Sequence, residues 1–204
     1  MAKNTRSASN TKSTGSRSTS SSKSSSSKGA STASYSEETK LKELFVEELK
    51  DIFWAEKHLS KALPKLAKAA TSQELADAFL LHTEETMNQI ARLEQVFELL
   101  EMPARAKKCE AMEGLVREAQ SAIEDTDKGT ATRDAALIIS SQKSEHYEIA
   151  SYGSLVQLAK TIGEDEIADL LQQTLDEEKQ TDVKLTELAV SSVNINAESE
   201  TEED

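Results

Sequence analysis

A gap-free internal repeat constrains this chain more than any other feature. Residues 56–93 match residues 148–185 at ten of 38 positions, at a fixed offset of 92. Self-similarity of this kind marks one structural unit used twice. Leu63, Leu66 and Ala67 recur as Leu155, Leu158 and Ala159, the small and branched apolar residues that a helical hairpin packs. Two other matched pairs, Glu56 with Glu148 and Glu85 with Glu177, answer no packing need.

Around the repeat the periodicity is helical throughout, and strand-like alternation is absent. The first helix is expected to start after Ser36 as N-cap, with Glu37 and Glu38 at the positive end of its dipole. Its apolar stripe runs Leu41, Phe45, Leu49, Ile52, Glu56, Leu59, Leu63, Leu66, with Pro64 expected to kink it. Thr71-Ser72-Gln73-Glu74 reads as a capping box opening a second helix that ends before Met102-Pro103. A shorter amphipathic helix is expected over about Lys108–Asp125 and a third long one over about Arg133–Ile162, stopped by Gly163. A fourth is expected over about Asp165–Val190. Two long hairpins joined by a crossover with a short extra helix describe an all-α, ferritin-like four-helix bundle spanning residues 37–190.

Composition sets the bundle's limits. The first 36 residues hold 15 Ser, 5 Thr and six Lys or Arg with no acid, a composition expected to stay disordered. The net charge of −13 therefore becomes −19 for the remainder. Such a body does not bind nucleic acid on its own. The evenly spaced Lys3, Arg6, Lys12, Arg17, Lys23 and Lys28 could make weak, salt-sensitive, nonspecific DNA contacts. Residues 191–204 read as a short, flexible acidic end. The single cysteine, Cys109, excludes an internal disulfide framework and suits a reducing cytoplasm. No apolar run approaches the roughly 18 residues of a membrane span, and no hydrophobic stretch makes the N-terminus a secretory signal.

The glutamates carry the functional expectation. Glu56 shares its stripe with leucines, and a buried carboxylate needs a partner. At a rise of about 1.5 Å per residue it stands roughly 21 Å from the hairpin turn, and Glu85 roughly 18 Å from the same turn. The repeat places Glu148 and Glu177 equivalently, so four carboxylates are expected to converge midway down the bundle. Two divalent metals would relieve their repulsion. Glu145, one turn before Glu148, is a further candidate ligand, and Glu178 could replace Glu177 on the last helix. Ferritin-like di-metal proteins carry Glu-x-x-His on two helices; here Asn88 and Gln180 occupy those places. His82, one turn before Glu85, could supply a nitrogen instead. Tyr152, one turn after Glu148, could donate a hydrogen bond to it.

Five segments carry a family resemblance: AEKHLSKALPKLAKAA (55–70), HTEETMNQIARLEQVF (82–97), CEAMEGLVREA (109–119), QKSEHYEIASYGSL (142–155) and TLDEEKQTDVKLTELA (174–189). In this order they closely resemble the YciE/YciF family of bacterial ferritin-like proteins. That resemblance implies a stress-associated homodimer, similar to rubrerythrins and manganese catalases. It also implies a di-iron or di-manganese centre acting on hydrogen peroxide or O2. Matched by position, Glu56, Glu85, Glu148 and Glu177 or Glu178 would be the metal carboxylates. Gln89 stands where many relatives have histidine. The alternative expectation is a non-enzymatic stress scaffold with a degenerate metal site.

Overall fold

The computed structural model describes residues 39–201. The basic segment 1–36, and with it the expected DNA contact, lies outside the described residues. Among the described residues all regular structure is helical: α1 (Lys40–Ala69), α2 (Gln73–Leu99), α3 (Glu110–Glu124), α4 (Ala131–Ile162), α5 (Asp165–Leu188) and α6 (Asn194–Glu198). A π-helical turn, Ala189–Val193, joins α5 to α6.

Each helix begins and ends for a local reason. Thr39, not Ser36, caps α1, its hydroxyl accepting from Lys42 N at 3.2 Å. The helix continues through Pro64 to Ala69, although Pro64 has no backbone N–H to donate within it. Ser72 caps α2, and Thr130 caps α4 through a 3.1 Å bond from Arg133 N. Gly163 ends α4 in the left-handed conformation (φ 81°), which only glycine adopts without strain.

The four long helices form a ring in which α1 packs on α2 and α4, and α5 packs on α4 and α2. The α2–α4 crossover carries α3 across the outer face of α1 and α4. This is the ferritin-like bundle. Phe45, Leu49, Phe53, Phe79, Phe97, Leu137 and Tyr152 are all 2 % exposed or less, each contributing about 1.5–3 kcal/mol of burial. Phe53 and Phe97 meet edge to face with centroids 5.5 Å apart, locking α1 to α2. Asp134 joins the two hairpins: its carboxylate accepts from Thr71 N and Ser72 N, both at 2.7 Å, at the positive end of α2.

The far end differs from the sequence expectation. Helical structure continues past Ser191 to Glu198. The π-turn inserts one extra residue and swings Val193 back into the core, where it is buried. Glu200 then reaches the start of α4.

Candidate metal centre

Midway down the bundle, His82 from α2, Glu145 and Glu148 from α4, and Glu178 from α5 converge. One donor atom from each lies within 4.8 Å of the others. Glu145, Glu148 and Glu178 are fully buried, and so is Glu56 of α1 beside them. Helical spacing puts them there. Glu145 and Glu148 stand one turn apart on α4, and Glu178 continues the seam of Leu171, Thr174 and Leu185 on α5.

The repeat is realised, but its two carboxylate pairs fare differently. Glu56 and Glu148 both point into the core. Glu85 and Glu177 both sit one step off the seam, which passes instead through the buried Thr86 and Glu178. Glu85 stays at the surface edge of the site, its side chain 36 % exposed and its Oε2 3.6 Å from His82 Nδ1. Glu177 is held outside the cluster by Arg92, whose two terminal nitrogens donate to its oxygens at 2.9 and 2.8 Å. Gln89 adds a 3.2 Å bond to the same carboxylate. That grip satisfies Glu177 where it stands, and the seam position falls to Glu178. Tyr152 donates to Glu56 Oε1 on the neighbouring helix α1, rather than to Glu148.

The hydrogen bonding around the cluster is incomplete. Ser141 Oγ donates to Glu145 Oε1 at 3.1 Å, and His82 Nε2 lies 3.3 Å from the same oxygen, off the line of a hydrogen bond. Both oxygens of Glu148 and of Glu178 lack any partner, as do Glu56 Oε2, Glu145 Oε2, Gln89 Oε1 and both nitrogens of His82. Among the described residues, every buried side-chain polar atom without a partner belongs to this one place. Leaving such atoms unmade costs about 1–3 kcal/mol each, so a fold that concentrates them has a use for them.

Electrostatics agree. Burial raises Glu148 and Glu178 well above the usual carboxylate range, and their acidic neighbours add to it. Burial also lifts Glu56, against the Tyr152 hydrogen bond, to about 7. Burial would lower His82, but Glu145, Glu85 and Glu178 together outweigh it and raise the imidazole well above its ordinary value. Burial would raise Glu145; the facing His82 charge instead holds it low. Without a cation the cluster is thus one His–Glu ion pair among carboxyls that favour the neutral acid. A divalent ion reverses that balance. One nitrogen among carboxylate oxygens is a donor set that fits a divalent metal ion.

An all-α bundle with a buried histidine–carboxylate cluster at mid-depth is the class of protein that fold and site define. Residues 40–198 match the family described as "Domain of unknown function (DUF892)". The chain belongs to that family, the one that includes the YciE/YciF proteins. It is 50 % identical over 159 residues to YciF of Escherichia coli, covering 78 % of this chain and 95 % of the relative. The crystal structure of that E. coli stress protein aligns with TM-score 0.73 and 49 % identity, over 76 % of this chain and 98 % of the other. YcfI from Rhodopseudomonas palustris aligns with TM-score 0.70 and 39 % identity, over 74 % and 96 %.

No helix among the described residues is long and apolar enough to cross a membrane. The remaining histidines stand apart from the cluster. His58 stacks on Trp54 at 4.4 Å, and His146 lies 3.3 Å from Asp182 on the surface. Cys109 is an N-cap, its sulfur accepting from Met112 N at 3.3 Å and lying 3.0 Å from Tyr147 Oη. Burial pushes its thiol up, away from the thiolate.

Proposed function

We propose that this protein is a stress-response metalloprotein whose bundle binds two iron or manganese ions and handles hydrogen peroxide or O2. The observation that carries this reading is the set of unpartnered donor atoms of Glu56, His82, Glu145, Glu148 and Glu178 at one level of the core. His82, Glu145, Glu148 and Glu178 would hold one ion. Glu148 and Glu178, with both oxygens free, have the capacity to serve a second on the side of Glu56. When bound, iron or manganese would supply the electron exchange with peroxide that no side chain here provides.

The chain's own residues supply the setting. Tyr152 fixes Glu56 from the neighbouring helix α4, and Ser141 fixes Glu145. Apolar residues one turn away on either side of Glu56, Ile52 and Leu59, are buried and keep bulk water from its carboxylate. Exclusion of water strengthens every charge interaction in the pocket.

The test is reconstitution with Fe(II) or Mn(II). About two metals per chain are expected, with hydrogen peroxide consumed faster than in a free-metal control. A Glu148→Ala/Glu178→Ala variant that still binds two would end the assignment. A second reading, a stress scaffold with a metal site that does not turn over, is favoured by Gln89, which occupies a buried position and is bonded to Glu177. Metal bound at the expected stoichiometry without peroxide consumption would select it.

A further inference from the structure

One cavity of about 220 Å³ opens between α2, α4 and α5. Its inner wall includes His82 and Ser141, the two side chains that approach Glu145 Oε1 at 3.3 and 3.1 Å. Its outer part includes Glu85, Gln180 and Lys184. The cleft between α1 and α4 and those around Pro64 at the bundle end are lined by no member of the cluster. The α2–α4–α5 cavity is therefore an opening that reaches a cluster residue from the surface.

Glu85 lines this opening beside His82. Its Oε2 faces His82 Nδ1 at 3.6 Å, while the other ring nitrogen, Nε2, faces Glu145. Two donors bound at about 2.1 Å to one ion stand roughly 3.0–3.4 Å apart at octahedral to tetrahedral angles. The Glu85–His82 gap is thus close to the span that one cation bridges. Nδ1 has no hydrogen-bond partner of its own. Glu85 is wet enough to meet a hydrated ion, and His82, 2 % exposed, is already inside. Lys184, exposed on the facing wall, makes no ion pair among the described residues and opposes any arriving cation.

We propose that the α2–α4–α5 cavity is the entry port of the metal cluster and that Glu85 is its receiving carboxylate. It takes a hydrated divalent cation at the surface and passes it to His82 and Glu145. Glu85 then acts on the rate of loading and not on the final occupancy. This rests on the metal-binding reading above, and its test separates the two.

Metal-free full-length protein is mixed with Co(II) in stopped flow, and quenching of the single tryptophan, Trp54, two residues from Glu56, reports arrival. Bound cobalt at equilibrium is measured separately by elemental analysis. Glu85→Gln is expected to load roughly tenfold more slowly at low salt, with unchanged cobalt at equilibrium. Lys184→Gln, on the opposite wall, is expected to load faster, and added salt should shrink both differences. Equal rates for wild type and Glu85→Gln at low salt overturn the port. Cobalt lost at equilibrium in Glu85→Gln also overturns it, since Glu85 would then be a resident ligand. A wild-type protein that takes up no cobalt at equilibrium overturns the metal-binding reading and the port with it.

Discussion

Arg92 holds Glu177 through two guanidinium nitrogens, at 2.9 and 2.8 Å, and thereby keeps that carboxylate out of the cluster that its neighbour Glu178 enters. Two adjacent glutamates on one helix are sorted by a single arginine on another. The pair is two-thirds or more buried, and a two-pronged arginine–carboxylate contact there is worth about 1 kcal/mol.

The sorting predicts opposite outcomes for neighbouring substitutions. Glu177→Gln should lower stability by about 1 kcal/mol in urea unfolding and leave metal stoichiometry unchanged. Glu178→Gln should leave stability of the metal-free protein unchanged or raised, because it removes a buried acid, and should reduce bound metal. Elemental analysis of both variants decides. Metal lost from Glu177→Gln and kept by Glu178→Gln would reverse the assignment.

Metal and fold should be linked through the same site. An ion that binds the folded chain and not the unfolded one stabilises by mass action, about 2.7 kcal/mol at a hundredfold excess over Kd. The Tm is therefore expected to rise with added Mn(II) and to fall with chelator. In the Glu148→Ala/Glu178→Ala variant it should respond to neither. A wild-type Tm indifferent to both additions would count against a buried site.

Asp134 offers a test of how the hairpins are joined. Its carboxylate accepts two backbone bonds at the start of α2 while sitting 2 % exposed on α4. Asp134→Ala should cost about 2 kcal/mol, the scale of charge-assisted bonds lost from a largely buried place. Because the lost contact joins α2 to α4, hydrogen exchange should quicken at Thr71 and Ser72 first. Unchanged exchange there would show that the turn is held by other contacts.

How much of this was legible in the sequence follows from which positions the seam decides. The helices, the crossover with its extra helix and the burial of Glu56 and Glu148 are all consequences of apolar spacing, and all are found. The repeat equates Glu85 with Glu177 correctly, but equivalence does not mean burial: both stand one step off the seam. Counting threes and fours from Leu171 and Thr174 reaches Glu178, and that spacing was the available signal. Nothing local announces the grip of Arg92, which comes from another hairpin, or the reach of Tyr152 to Glu56. Nor does periodicity foresee the π-turn, since one inserted residue breaks the count that brings Val193 inward.

Beyond that turn the acidic end is tied back to α4. Glu200 accepts from Ala131 N at 2.6 Å, Thr132 N at 3.0 Å and Thr132 Oγ1 at 2.8 Å, where the first turn of α4 has free donors. These bonds favour the charged carboxylate and hold it below the usual glutamate range. A group whose folded-state value is depressed stabilises fully above its unfolded value and loses that contribution as pH falls through the folded one. Wild type should therefore exceed Glu200→Gln in urea midpoint at neutral pH. The gap should close as the pH drops below the ordinary glutamate value, once the acid is neutral in both states. Salt should narrow it as well, because Glu200 is fully solvent-exposed. A gap of constant size down to about pH 3 would assign the effect to the lost geometry of the side chain and not to its charge.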